Sequence, residues 1–268
     1  MGGFGEATTV RRHEEGLYLA ELDSGYTIGE ALNGGYLMAV LLRAAVDAGP
    51  HPHPVATSAS FLRVAKPGPA EILVEQRKTG RTATVARVTL VQNGLPVVDA
   101  QVSTGTLDAD AAPAWSASPP AGLPPVEDCL VFENDFESGK EPRGFVSQVD
   151  MRFDPATMGW LDGQPAGSPQ MRAYLRMRRP YPPDGILLAL AVDALPPVVL
   201  NTGAGGWAPT VELTWHMRAV PAPGWLALHG SGRLVSDGWF DEEVEVWDET
   251  GRLVAQCRQL ARLGRPAR

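Results

Sequence analysis

The chain has 268 residues, 44% of them hydrophobic and 20% charged, with a formal net charge of −8. At about 150 residues per domain, this length suits two domains or one large one, and the apolar share supplies a core. The acidic balance excludes a general nucleic-acid binder, which needs a basic footprint to displace counterions. The 29 glycines and 24 prolines predict many turns and an irregular connector. Cys129 and Cys257 stand far apart, with no Cys/His cluster, so no metal site is expected. Met1 to Gly16 lacks the apolar run of a signal peptide. The most apolar helix is broken by Arg43, well short of the ~20 residues a membrane span needs. A soluble, cytoplasmic chain is expected.

In chain order, Leu17 to Leu22 reads as a short strand. Asn33-Gly34-Gly35 then opens a helix over Tyr36 to Ala48, apolar nearly all round and therefore buried on most sides. Its charges are Arg43 and Asp47, and Gly49-Pro50 ends it. Four Val/Thr-rich strands follow, at Val55–Ala65, Ala70–Thr79, Thr82–Gln92 and Pro96–Thr106. Asn93-Gly94 is a strong hairpin signal between the last two. Asp108 to Arg143, with the run Ser118 to Pro125, has the composition of an extended linker. The pattern then returns. A strand is expected at Val146–Phe153. A second apolar helix runs over Ile186–Leu195, opened by Asp184-Gly185 and stopped by Pro196-Pro197. Strands follow at Thr210–Arg218, Leu226–Val235, Phe240–Trp247 and Leu253–Leu263.

The second half repeats the first. Ala45-Val46-Asp47-Ala48 returns as Ala191-Val192-Asp193-Ala194, an offset of 146. Pro67 to Ala70 returns as Pro221 to Gly224, and Asn93-Gly94 as Thr250-Gly251, at offsets of 154 and 157. The order is kept and the drift is a few loop residues. The division read from this is a first copy over residues 1–107, a Pro-rich connector over 108–143 and a second copy over 144–268.

Several residues stand out before any family is considered. Asp193 follows an unbroken apolar run, Ile186 to Val192. A carboxylate buried there costs several kcal/mol unless hydrogen-bonded or protonated, roughly as for any buried charge. A helix-terminal side chain facing water fits the bare sequence as well. On the last strand Ala255, Cys257, Gln259 and Ala261 share a face, and Gln259 is its polar exception. An inward glutamine that only bonds backbone fits equally. Thr210, opening a strand after Pro209, is unremarkable alone.

A buried helix opening on Gly-Gly, then a four-strand meander, then both again, resembles the α+β double hotdog fold. That fold has two tandem copies of a long buried helix wrapped by an antiparallel β-sheet. More closely, the chain resembles the acyl-CoA thioesterase II (TesB-like) family. The resemblance is carried by Asn33 to Tyr36, Ser60-Phe61-Leu62-Arg63, Val91 to Pro96, Leu190 to Pro196, Thr210 to Leu213 and Gly251 to Gln259. It covers most of the chain outside the connector. It implies a thioester hydrolase of lipid metabolism with catalytic Asp193, Thr210 and Gln259. No cofactor is implied, coenzyme A being part of the acyl-CoA or related acyl-thioester substrate. Further association into a homo-oligomer is expected. By the repeat, Asp47, Thr57 and Val102 would correspond to Asp193, Thr210 and Gln259, so only the second copy keeps all three.

The chemistry fits these side chains. Thioester hydrolysis needs a positioned water, a proton acceptor and a donor to the developing oxyanion. Asp193 is the one group of the three able to act as general base; Thr210 and Gln259 would orient the water. Gly34 and Gly35 are candidate substrate-binding residues, since glycine lets a ligand approach a helix N-terminus. Packing against facing strands explains them equally. Arg63, with Arg77, Arg81 and Arg218, is a candidate for the coenzyme A phosphates, although surface solvation accounts better for any one of them. The family's first-half histidines before Ser-x-Phe-Leu are missing here: His51 and His53 lie earlier, among prolines. Trp207, Trp215, Trp225 and Trp239 read mostly as core, with room for one or two in an acyl tunnel. No Gly-x-Ser-x-Gly elbow supports a serine hydrolase. A hotdog hydratase would want an Asp/His pair that neither helix supplies. A non-hydrolytic, acyl-thioester-binding accessory protein is the other reading.

Overall fold

The computed structural model describes residues 2–120, 122–131, 144–206 and 208–264. Most of the second part of the connector, and Trp207, lie outside these residues. Helix α1 (Gly34–Asp47) begins where the Asn33 side-chain oxygen accepts the Tyr36 N–H at 2.9 Å. Such a cap contributes about 1 kcal/mol. Every residue from Leu37 to Leu42 is buried, as an all-round apolar helix requires. Helix α2 (Gly185–Ala191) is capped by Asp184, whose Oδ1 accepts the Ile186 and Leu187 N–H groups at 3.0 and 2.8 Å.

Helix α2 is shorter than its expected span to Leu195. A proline in a helix clashes with the carbonyl four residues back, and Pro196 stands four after Val192. The last turn tightens instead: Asp193 N–H donates to Leu190 O at 3.2 Å and Ala194 N–H to Ala191 O at 3.4 Å. Asp193 therefore sits in the turn beyond the helix. The helices meet backbone to backbone at Gly35. A Cβ there would lie 2.9 Å from the Ala189 carbonyl oxygen and from the Leu190 Cα. The close neighbour of Gly35 is thus the other helix, not a facing strand.

The strands of the first copy are β1 (Leu17–Leu22), β2 (His53–Phe61), β3 (Gly68–Thr79), β4 (Ala83–Gln92) and β5 (Leu95–Gly105). Those of the second are β6 (Val149–Phe153), β7 (Gln170–Met177), β8 (Thr210–Met217), β9 (Leu226–Ser231), β10 (Trp239–Trp247) and β11 (Leu253–Arg262). All join one antiparallel sheet in the order β1-β3-β4-β5-β2-β8-β11-β10-β9-β7-β6. Reading outward from the β2–β8 seam, both halves have the same order. This is the α+β architecture that the double hotdog resemblance implies. Strand β7 was not expected. Its inward residues Met171, Ala173, Leu175 and Met177 alternate with Arg172 and Arg176, which pair with Asp154 and Asp150. Without β-branched residues, the period-two signal is weak.

Register revises the repeat correspondences. Thr57 lies opposite Val102, whereas Leu213 lies opposite Gln259. If Val102 matches Gln259, then Thr57 matches Leu213 and not Thr210. Thr210 lies beyond a bulge, where the β8–β11 register shifts before Glu212. The extra residue turns Thr210 to the inner face that Leu213 shares with Gln259. Asp47 is the last residue of the 14-residue α1, while Asp193 lies past the end of the 7-residue α2, so these two are not equivalent either.

The crossing at Gly35 predicts a specific sensitivity. Gly35→Ala forces a methyl group against the α2 backbone, and overpacking of this kind costs about 1–3 kcal/mol. Urea unfolding of the purified variant should show that loss.

Candidate active site

A cavity of about 500 Å³ opens between the start of α1, the segment after β2, the turn after α2 and the inner faces of β8, β10 and β11. Asn33, Gly34, Arg63, Asp193, Thr210, Glu242 and Gln259 all line it, with Leu37, Phe61, Leu195, Leu200 and Phe240 as apolar wall. The three residues expected to be catalytic, remote in sequence, thus share one pocket. Asp193 Oδ2 accepts the Gly35 N–H at 2.7 Å and lies 3.3 Å from the Asn33 amide nitrogen, which also donates to the Asp193 backbone carbonyl at 3.0 Å. A carboxylate at a helix N-terminus gains from unpaired N–H groups and from the helix dipole. The first copy thus supplies the helix end and the second copy the carboxylate.

Across the pocket, Thr210 Oγ1 donates to Gln259 Oε1 at 2.6 Å. Gln259 Nε2 donates to Glu242 Oε1 at 3.2 Å, and Glu242 Oε2 accepts the Val198 N–H at 3.0 Å. Gln259 is 6% exposed and Glu242 only 2%. Glu242 escaped the sequence reading. Its signal was present: Phe240, Glu242, Val244 and Val246 alternate inward on β10, with a carboxylate among apolar neighbours. Asn33 was noticed as a helix opener, but its bond to Asp193 spans 160 positions and has no local signature.

The two glycines separate. Gly34 lines the pocket, where a Cβ would lie 2.8 Å from Asp193 Oδ2. Gly35 is not on the pocket wall, and its N–H is committed to Asp193. Its expected role in holding substrate gives way to helix packing and to orienting Asp193. Arg63 stands exposed at the rim, donating to the Pro96 carbonyl at 2.7 Å. Arg77, Arg81 and Arg218 are not on the pocket wall, and Arg77 pairs with Glu75. Trp215 is buried core, while Trp225 and Trp239 carry Arg176 and Arg262 over their rings on the sheet exterior. No described tryptophan and no histidine lines the pocket. Both cysteines are free and buried. Among the described residues no helix is long and apolar enough to cross a membrane, and no His/Cys/Asp/Glu group is arranged to hold a metal.

Comparison with known proteins bears on this architecture. Residues 22–105 match the family model of the acyl-CoA thioesterase N-terminal domain, and residues 120–263 that of the C-terminal domain. The chain belongs to the acyl-CoA thioesterase family. As a member, it is a thioester hydrolase. A solved structure of a proposed thioesterase II from Thermobifida fusca shares 45% identity and a TM-score of 0.90, covering 98% of this chain and 97% of that one. A protein of unknown function from Alicyclobacillus acidocaldarius, solved as a hot dog fold, agrees in fold. It has a TM-score of 0.82 at 23% identity and covers 98% of each chain. An uncharacterized protein of Mycobacterium tuberculosis is 33% identical over 91% of this chain and 90% of its own length.

The electrostatics of the thioesterase pocket are those of two acids, Glu242 buried and Asp193 half-buried on the pocket wall. Burial pushes Asp193 up to about 7, against the lowering effect of the Gly35 N–H. Burial likewise pushes Glu242 up to about 8, and the nearby Asp193 charge adds to the rise. A carboxyl raised in the folded state keeps its proton longer there than in the unfolded chain. Its stabilising effect is therefore full below the unfolded value and is lost as pH rises through the folded one. Asparagine at position 193 stays neutral and can still accept the Gly35 N–H. Asp193→Asn should melt with the wild type near pH 4 and above it near pH 8, roughly the interval between the two states' titrations. Thermal melts across that range check the sign.

Proposed function

We propose that this thioesterase hydrolyses acyl-CoA to a free carboxylic acid and coenzyme A, using water activated by Asp193 and held by Thr210 and Gln259. The observation that carries the reading is the convergence of these three side chains on one pocket beside the start of α1. Asp193 is the member able to take a proton, and a value of about 7 suits a general base working near neutrality. In the step proposed, the water oxygen attacks the thioester carbon as its proton passes to Asp193. The carbon–sulfur bond then breaks, and the departing thiolate takes the proton from Asp193 to leave as coenzyme A, which returns Asp193 to its starting state. The N–H of Gly34 has no acceptor among the described residues and Gly34 lines the pocket, so it is the backbone donor best suited to the developing oxyanion.

The apolar wall of Leu37, Phe61, Leu195, Leu200 and Phe240 offers the acyl chain a dry surface, each buried contact adding to affinity with the area it covers. Among the described residues Arg63, at the rim, is the one pocket-lining cation, a partner for the anionic end of the substrate.

The test is thiol release from acyl-CoAs of graded chain length. Asp193→Asn should lower kcat by about a hundredfold or more, with the fold intact by circular dichroism. A variant that turns over like the wild type would remove Asp193 from the mechanism. Tight acyl-CoA binding by the wild type, without thiol release, would instead favour an accessory role.

A further inference from the structure

Glu242 is the most buried acid in the pocket, and nothing in a general-base mechanism with Asp193, Thr210 and Gln259 requires it. Its two oxygens both act as acceptors, one from the Val198 N–H and one from the Gln259 amide. When Glu242 is ionised it has no proton to give, so Gln259 turns its NH₂ toward Glu242 and its carbonyl toward Thr210, the arrangement seen here. Thr210 Oγ1, 2.6 Å from Gln259 Oε1, then gives its proton to that bond, and the lone pairs of Thr210 are left for the pocket. A chain of bonds thus runs one way, from hydroxyl to amide to carboxylate.

That direction matters for the water. A nucleophilic water attacks with one of its two lone pairs, and it is held with that pair toward the carbonyl carbon most firmly when the protein accepts both its protons. Asp193 accepts one. Thr210 can accept the other only while its own proton is donated elsewhere. We propose that Glu242 is a positioning residue that sets the polarity of the Thr210–Gln259 bond chain, so that Thr210 accepts a proton bond from the attacking water. The inference rests on the catalytic reading of the pocket given above.

The neutral form of Glu242 would undo this. A protonated carboxyl can donate to the Gln259 carbonyl, the amide then turns its NH₂ to Thr210, and Thr210 donates into the pocket. There it would occupy one of the water's two lone pairs and leave the water's second proton unheld, so the attacking orientation is no longer fixed. The charged or titrating groups bearing on Glu242 are Asp193 in the turn after α2, Asp241 on its own strand and Cys257 on β11. Cys257 is a neutral thiol held up by burial and by Glu242 itself, while Asp193 and Asp241 disfavour a second negative charge beside them, as burial does. The Val198 N–H and the Gln259 amide are the interactions that favour it.

Glu242→Gln mimics the neutral form at constant shape. Its amide oxygen takes the Val198 N–H, its NH₂ faces Gln259, and the chain reverses. The expected result is a drop in kcat of about tenfold or more with KM within about twofold, as for a lost transition-state interaction. In a Thr210→Val background the same change should alter kcat by less than about twofold, because the two residues act in series. Wild-type kcat in Glu242→Gln, or full additivity with Thr210→Val, would overturn the proposal. If Glu242→Gln fails to fold, the wild-type pH profile decides. The acid limb of kcat should carry two ionisations, near about 7 and about 8. A single ionisation would overturn it. Loss of turnover in Asp193→Asn without any effect of Glu242→Gln would sink this inference and leave the catalytic reading standing.

Discussion

The pocket depends on one close approach. At Gly35 the start of α1 lies against the backbone of α2, closer than any side chain allows. The same approach brings the Gly35 N–H within 2.7 Å of Asp193. A buried carboxylate needs such a partner, and the first turn of a helix has spare N–H groups to give. Packing and chemistry are thus joined in a single contact. The helix crossing sets where the acid stands, and the acid satisfies the helix end.

Duplication explains why the site is shared, but the two copies have not kept equal roles. The opening of α1 faces the cavity. The opening of α2 is closed: a Cβ at Gly185 would lie 2.8 Å from Pro54 and 2.9 Å from the Met217 sulfur. The Asp184 cap there is engaged with its own helix and with the Tyr181 hydroxyl, which in turn accepts from Arg43. Side chains fill what would be the twin of the pocket. Asymmetry in loop and helix length leaves the opening of α1 facing a cavity and the opening of α2 packed by side chains.

Much of the fold was legible because its signals are local. All-round apolar helices opening at Asn33 and Asp184, Val/Thr strands and Asn-Gly or Thr-Gly turns each announce themselves within a few residues. The inward placement of Gln259 followed from period-two alternation alone. What stayed hidden depends on geometry over long separations. The bulge beside Thr210 reverses the face of a residue, and alternation cannot show where a register slips. The repeat suggested Asp47 as the partner of Asp193, but a helix half as long shifts the end that matters. Strand β7 was masked by its arginines. Glu242 was visible by parity, yet its meaning required the amide it faces.

The seam between β2 and β8 has a consequence for what the chain can be. Its outer face is held by polar groups, with Thr214 donating to Glu212 at 2.7 Å and lying 3.1 Å from the Ser58 hydroxyl, while its inner face buries Ala59 and Trp215. Cut there, each half would carry a bare central edge ready to pair with any extended strand. Neither half is therefore a free-standing unit in the way a linked domain would be. The two copies inherit the logic of a dimer whose partner can no longer leave. Such permanence lets one half specialise in presenting a helix end and the other in supplying acids, because neither has to serve an identical twin.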